Sequence, residues 1–518
     1  MKLANAVQER AAMRGALAVS PRWALLLVLL ALVPLLYPSV PPLTDLPAHM
    51  ARFMVQLDQG RSADIARWYH FRWNLIPNLG TDLLAEAFVP LFGIEGAMKA
   101  LAMLIVGLQS AGYLLLARAA HGRIPVTALF ALPLAYGNPF QYGFLNFTLG
   151  IALATLALAL WISPRMAARP LARWALFCVI GSAIWLCHLA AWATLCILVG
   201  ACELASRHER SGRLVPSLIA GVIASSCLLV PQALSLLWPD TPAHLPTEGF
   251  FDWPYKLLYL ANVLADRWAA FDVLCALALF GLAAAMWRLP AFALHRGLTL
   301  GALVLLAIYL LMPAWVYGSF YADMRMVPIT LAIAILAARP TERLGARGQR
   351  ILAVAAIAFM LVRLAGTTAS MAMWDRRLAE ELKVLDHLPR GSQLVSFSAL
   401  PCRTYVLQGR ERNMHIASYA LTRRHAFASD QFAMSGGQLL SIANPVVGPF
   451  DRDPSTIEIG EPCQGSTIPL IDSIRRVPRG VPYLWIIWHV APRPVPGWQP
   501  FARSGDSFLY RRSARQGH

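Results

Sequence analysis

The chain has 518 residues, 57% hydrophobic and 14% charged. Soluble domains carry about 25% charged residues, so this composition excludes an ordinary soluble protein and indicates an integral membrane protein. The formal net charge of +17 would suit a nucleic-acid binder. However, lysine occurs only at Lys2, Lys99, Lys256 and Lys383, and the arginines gather in short linkers between apolar runs. That is the positive-inside pattern of a polytopic protein, and nucleic acid is excluded as a partner.

In chain order, a basic cytoplasmic N-terminus (1–22, with Lys2, Arg10, Arg14 and Arg22) precedes the first apolar helix at 23–37. No small-residue cleavage site follows that helix before YPSVPP, so it reads as an anchor and not as a removed signal. A long first loop, 38–96, comes next. Further helices are expected near 97–117, 124–137, 144–162, 174–187, 189–206, 214–238, 271–288, 298–314, 326–338 and 350–367, about eleven in all. Alternate linkers carry Arg118 and Arg123; Arg165, Arg169 and Arg173; Arg207, Arg210 and Arg213; Arg288 and Arg296; and Arg339, Arg343, Arg347 and Arg350. This asymmetry places the N-terminus inside and the first loop outside, which in a bacterium is the periplasm.

An odd number of helices leaves residues 368–518 outside as well. This segment is richer in charges and turn residues. It holds short strand-like runs at 393–398, 404–408, 483–490 and 507–510. Its size suits one α/β or α+β domain after the transmembrane domain 23–367. Cys178, Cys187, Cys196, Cys202, Cys227 and Cys275 fall in apolar helices as small hydrophobes. Cys402 and Cys463 lie outside the helical region, where an oxidising compartment would permit a disulfide between them.

Four clusters carry polar groups beside the membrane. Thr44-Asp45-Leu46-Pro47 reads as a helix start, with Asp45 as cap, and spaces Asp45, His49 and Arg52 along one helix face. A carboxylate there can serve as a general base toward an acceptor hydroxyl. The competing structural reading is a plain cap with solvated neighbours. The run 68–84 joins stacking surfaces (Trp68, Tyr69, Trp73) to Asn78 and Asp82, which suits a sugar ring or an interfacial aromatic belt. The hairpin 137–147 places Asn138, Gln141, Tyr142 and Asn146 between two apolar runs, and His188 sits at another hairpin. Uncharged amides at membrane depth line a cavity or pair across helices. Asp323 and Arg325 precede an apolar helix, where an arginine fork matches a lipid phosphate or an Asp–Arg pair ends the helix. The loop 239–270 carries alternating aromatics (Phe250, Phe251, Trp253, Tyr255) that suit a segment lying on the membrane.

The layout resembles the C-type (GT-C) polytopic membrane glycosyltransferase superfamily. It shares the cytoplasmic N-terminus, the long first outer loop with an acidic residue just past helix one, the many helices and the outer C-terminal domain. TDLPAHMARF, NLGTDLL and ADMRMVP are similar to stretches of related bacterial polytopic proteins. The resemblance implies transfer of a sugar from a polyprenyl-phosphate donor to a periplasmic acceptor at the inner membrane, with inversion. Asp45 would be the catalytic base. Arg325, with Arg52, would steady the phosphate at a shared site, and His49, Asn78, Asp82, Asn138, Gln141, His188 and Asp323 would complete the binding residues. The partners implied are the polyprenyl-phosphate-linked sugar and membrane lipid. The superfamily's paired acidic motif implies a divalent metal, but Leu46 and Pro47 follow Asp45, so no metal ligand is assigned.

Two other classes compete. A non-catalytic translocator or assembly partner for lipid-linked glycans needs the same arginine and aromatic surfaces but no base. Transporters place ionisable residues near the midplane, whereas here they gather at outer ends. An outer-face ligase or polymerase would carry its large outer loop elsewhere in the chain.

Overall fold

The computed structural model describes residues 18–237, 246–400, 412–433, 438–451, 458–459, 469–488 and 494–513. The expected strand 404–408, Cys402 and Cys463 lie outside the described residues. The chain divides into two compact units. One comprises Met1–Leu36, Ile76–Thr81 and Leu101–Ala369, and the other Tyr37–Leu75, Asp82–Ala100 and Ser370–His518.

The first unit is helical. Among the described residues, six helices are long and apolar enough to cross a membrane: Gly80–His121, Pro170–Cys187, Leu189–Ser211, Leu214–Ser235, Ala269–Arg288 and Glu342–His387. Four apolar helices are shorter, at Pro21–Ala31, Leu145–Trp161, Arg296–Leu311 and Met326–Leu336. Large apolar side chains stand exposed on this unit, Leu171 at 86% and Leu236 at 80%, a surface suited to lipid and not to water.

Several expected helices differ in detail. The segment 124–137 winds as a 3-10 helix, Val126–Tyr136, with Pro133 inside it. The stretch 214–238 breaks into Leu214–Ser225, a 3-10 turn Ser226–Leu229 and Val230–Ser235, with Pro231 at the start of the last piece. The helix expected from residue 97 begins at Gly80, within the expected loop 38–96, and breaks at Gly93, whose φ of 68° is open to glycine and strained for other residues.

Packing in this unit uses small residues where helices meet. Gly297 and Gly301, four apart on Arg296–Leu311, face Cys202 and Leu198 of Leu189–Ser211. A methyl at Gly297 would lie 2.8 Å from the Cys202 Cα, so only hydrogen fits there. Buried charges are paired: Arg363 with Asp272 at 2.6 Å and Lys256 with Asp323 at 2.7 Å. An unpaired charge at these positions would be strongly destabilising.

The second unit joins the first loop to the C-terminal segment around one core. Ala51, Val55, Ile65, Trp68 and Tyr69 from the loop pack with Val395, Phe397, Phe427, Leu484 and Ile486. Its sheet comprises β1 (Gln393–Leu400), β2 (Phe427–Ala428), β3 (Glu458–Ile459), β4 (Tyr483–Trp488), β5 (Trp498–Ser504) and β6 (Ser507–Arg512), ordered β5-β6-β4-β1-β2 with β3 beside the end of β1. β1 runs parallel to β2, β3 and β4, whereas β4, β6 and β5 pair antiparallel. Helix Ser418–Arg424 lies between β1 and β2 in the chain, and Leu470–Arg476 lies between β3 and β4. β1, β4 and β6 fall on the strand-like runs expected at 393–398, 483–490 and 507–510, of which 489–490 lie outside the described residues. The loop also contributes a strand, Tyr69–Phe71, paired antiparallel with Leu440–Ile442. The sequence reading had divided these two segments, but burial of a common apolar core unites them.

Candidate functional site

In the second unit, Pro47 stands near the start of the helix Leu46–Asp58, as its fixed φ favours. Asp45 occupies the cap position, but its side chain accepts no cap hydrogen bond, a correction to the expected capping role. Its backbone is right-handed helical, not extended (φ −88°, ψ −9°), which turns the carboxylate away from the first-turn N–H groups. Asp45 Oδ1 instead lies 3.8 Å from His415 Nε2, with both side chains largely buried.

His415 is set by its other nitrogen. Nδ1 lies 2.8 Å from the main-chain oxygen of Asp430, and because a carbonyl only accepts, Nδ1 carries a hydrogen and donates it. The Asp430 carboxylate accepts from the Ser418 N–H at 2.8 Å, and the Gln431 amide donates to the Ser418 hydroxyl at 2.6 Å. Burial lifts the Asp430 carboxyl to about 6, against the pull of His415 and its hydrogen-bond donors. The Phe432 ring packs against His415 at 4.6 Å and against His49 at 5.7 Å. A carboxylate, two imidazoles and an aromatic wall thus gather at one helix start. An oxygen about 2.8 Å from Asp45 Oδ1 can also reach His415 Nε2, the geometry a general base needs toward a hydroxyl.

Arg52 and Asp82, both expected to meet substrate, meet each other. Their side chains form an ion pair at 3.0 Å with 1% and 0% exposure. Arg52 Nη1 also donates to Gln438 Oε1 at 2.8 Å, and Gln56 donates to the Asp82 carbonyl and the Glu86 carboxylate.

In the first unit, Asn146 ties down the start of the helix at Gly80. Its Oδ1 accepts from the Thr81 N–H and hydroxyl, and its Nδ2 donates to the Asn78 carbonyl at 2.7 Å. His188 occupies the cap of Leu189–Ser211, its Nδ1 accepting from the Ala190 N–H, while its ring meets Phe147 edge-on at 5.3 Å. The Arg325 guanidinium lies 4.0 Å over the Phe144 ring and 5.9 Å from Phe147, and donates to the Phe320 carbonyl. It lines a cavity of about 30 Å³ with Gln109, Thr148 and apolar residues, room for about one water.

Asn138 and Gln141 are buried on the short helix Asn138–Tyr142. Tyr142 adjoins Phe144 and Tyr321, and Tyr321 stacks on Phe320 at 4.0 Å. Tyr317 and Tyr321 hold left-handed backbones (φ 48° and 59°), strain of about 1–3 kcal/mol each of the kind that collects at functional loops. Arg325, His188, Asn138 and Gln141 therefore fall around one hairpin, although the sequence placed His188 at another hairpin and Arg325 in a separate cluster. Asp323 does not join Arg325. Its carboxylate is 2% exposed and paired with Lys256, whose ammonium also donates to the Tyr309 and Met312 carbonyls. The expected surface segment at 239–270 forms a helix, Trp253–Ala261, that buries Lys256 and exposes Tyr255 and Leu257, the inverse of a water-facing helix.

Asp45 and Arg325 belong to different units. The residues the sequence reading missed are His415 and Asp430. Both lie in a tail without recognisable motif spacing, and no local signal marked them. Among the described residues, no group of three or more His, Cys, Asp or Glu side chains could hold a metal ion. Comparison with known families, characterised proteins and solved structures gives no match to this chain.

Proposed function

We propose that this protein is an inverting membrane glycosyltransferase of the C-type class, acting on a polyprenyl-phosphate sugar at the outer face of a bacterial inner membrane. The observation that carries the proposal is the Asp45 carboxylate, relieved of capping and set 3.8 Å from a histidine whose tautomer is fixed. In the proposed step the acceptor oxygen bonds to the anomeric carbon and its proton passes to Asp45. The bond from that carbon to the phosphate oxygen breaks, and the phosphate leaves with the electron pair.

The unit composition supports the proposed topology of eleven crossings. A packed core cannot be split by a bilayer, so the segments Tyr37–Leu75 and Ser370–His518 share one side. An even number of crossings must then separate them. Among the described residues, the nine apolar helices after Pro21–Ala31 and the 3-10 helix Val126–Tyr136 would supply ten. With the arginine-rich linkers inside, the shared side is the periplasm.

The test is incubation of purified protein in liposomes with labelled polyprenyl-phosphate sugars and candidate glycan acceptors. Asp45→Asn is expected to lower transfer by about 10²–10⁴-fold, the usual contribution of a general base, while still inserting and folding. Near-normal turnover in that variant would remove Asp45 from the mechanism. Translocation of the labelled lipid without transfer by the unaltered protein would replace the transferase with a transporter.

A further inference from the structure

We infer that the end of the first unit around Arg173 and Glu203 is a binding site for an anionic phospholipid, held by its headgroup phosphate. This holds whatever reaction the protein catalyses. Three helix ends meet here. Pro170–Cys187 and Leu189–Ser211 run antiparallel, since Arg173 near the start of one lies 3.1 Å from Glu203 near the end of the other. Leu214–Ser225 starts at the same end, where the Ser211 and Ser217 hydroxyls stand 2.9 Å apart.

The charges at this end do not balance. Two guanidinium groups converge on the Glu203 carboxylate: Arg173 Nη2 lies 3.1 Å from Oε1, and Arg207 Nε donates to Oε2 at 2.9 Å. The Trp161 indole N–H also donates to Oε1, and its ring lies 4.1 Å from the Arg173 guanidinium. Arginine does not deprotonate, so this trio keeps one surplus positive charge. Arg173 and Glu203 are only 9% and 8% exposed, where an unmatched charge is costly and a neighbouring anion offsets the cost. The nearby carboxylate of Glu209 is taken by Arg296 at 3.2 Å. Arg165, Arg169, Arg210 and Arg213 stand exposed at the same helix ends, and among the described residues none of the four pairs with a carboxylate. Arg210 donates to the Ser206 carbonyl and hydroxyl, neutral acceptors that leave its charge unmatched.

The surface that runs on from these arginines is apolar. Leu171 and Val179 stand exposed on one helix, and Leu214, Val215 and Leu218 on the next. A free anion would use the guanidinium groups alone. A phospholipid uses both surfaces, its phosphate on the arginine forks and its acyl chains on the leucines.

The test places the full-length protein in liposomes of equal parts phosphatidylglycerol and phosphatidylcholine, with a trace of either lipid carrying a photoactivatable group beside its glycerol. Labelled peptides are located by mass spectrometry. Residues 164–218 are expected to take up the phosphatidylglycerol probe about fivefold or more over the phosphatidylcholine probe, the effect of one guanidinium near an anionic headgroup. Combining Arg165→Gln, Arg169→Gln, Arg210→Gln and Arg213→Gln should lower that preference by about fivefold or more, whereas lysine at the same four positions should retain it. Inorganic phosphate should change it no more than chloride of equal ionic strength. Equal uptake of the two probes by the unaltered protein, or an undiminished preference in the glutamine variant, would overturn the inference. Displacement by inorganic phosphate beyond the chloride control would assign the arginines to a free anion and overturn it too. Should the glutamine variant fail to insert, the unaltered protein decides by salt. Its preference must fall as ionic strength rises, because charge attraction at a surface is screened, and a salt-indifferent preference would refute the site.

Discussion

Asp82→Ala removes one partner of an ion pair whose side chains are 1% and 0% exposed. Arg52 Nη2 stands 3.0 Å from the carboxylate, and Nη1 donates to Gln438 at 2.8 Å. After the substitution a buried guanidinium keeps a neutral partner and loses its counter-charge. Breaking a buried pair in this way costs about 3–5 kcal/mol, because the surviving charge stays desolvated. The Gln56 bond at 3.0 Å is made to the Asp82 main-chain oxygen and survives, so the loss reports the carboxylate. Replacing both partners, Arg52→Met with Asp82→Leu, removes both desolvation penalties and should restore stability to within about 1 kcal/mol. The assay is chemical unfolding of the purified chain in detergent, followed by tryptophan fluorescence; the unaltered chain, Arg52→Met, Asp82→Leu and the double variant close a double-mutant cycle beside Asp82→Ala. The pair would instead be a ligand site if Asp82→Ala lost less than about 0.5 kcal/mol while binding of lipid-linked sugar collapsed, and the reasoning from burial would be refuted.

Two further outcomes follow from close packing and from burial. Gly80→Ala should destabilise the first unit by about 1–3 kcal/mol, since the added methyl would stand 2.2 Å from the Cys187 sulfur. Pairing it with Cys187→Ala should recover part of the loss in a thermal melt, and equal melting of the unaltered chain and both variants would show that the helix start shifts freely. Asp430 titrates near 6 in the folded chain against an ordinary 3.8, so the native state holds this proton more tightly than the unfolded chain. Its contribution is therefore full below about 3.8, declines as pH rises, and is lost above about 6, a change of about 3 kcal/mol at about 1.4 kcal/mol per pH unit. Asp430→Asn should lack this decline between pH 4 and 7, and identical pH–stability curves for the two proteins would contradict it.

Much of this was legible in the residues themselves. The apolar runs at 144–162 and 271–288 appear as Leu145–Trp161 and Ala269–Arg288 within a residue or two. The strand-like run at 507–510 appears inside β6. The start at Asp45-Leu46-Pro47 was also readable, because proline's fixed φ acts locally. Less readable was what each polar group does. Asp82 and Arg52 each looked like ligand groups beside a membrane, and only their burial in one ion pair assigns them to each other. Asp323 looked like the partner of Arg325 two residues on, yet its carboxylate meets Lys256 from another helix.

By itself, the sequence determined which segments suit lipid and which suit water, because apolar runs, strand alternation and arginine-rich linkers are local patterns. It also singled out Asp45 at the membrane exit. The tertiary structure decided what surrounds that carboxylate. The first loop and the C-terminal segment bury a common core, and that burial brings His415 and the Asp430 carbonyl to Asp45. The physical reason is that these contacts arise from the return of a distant segment to a shared apolar core. Residue spacing does not encode that return, and in the folded chain it turns an apparent cap into a carboxylate paired with a histidine.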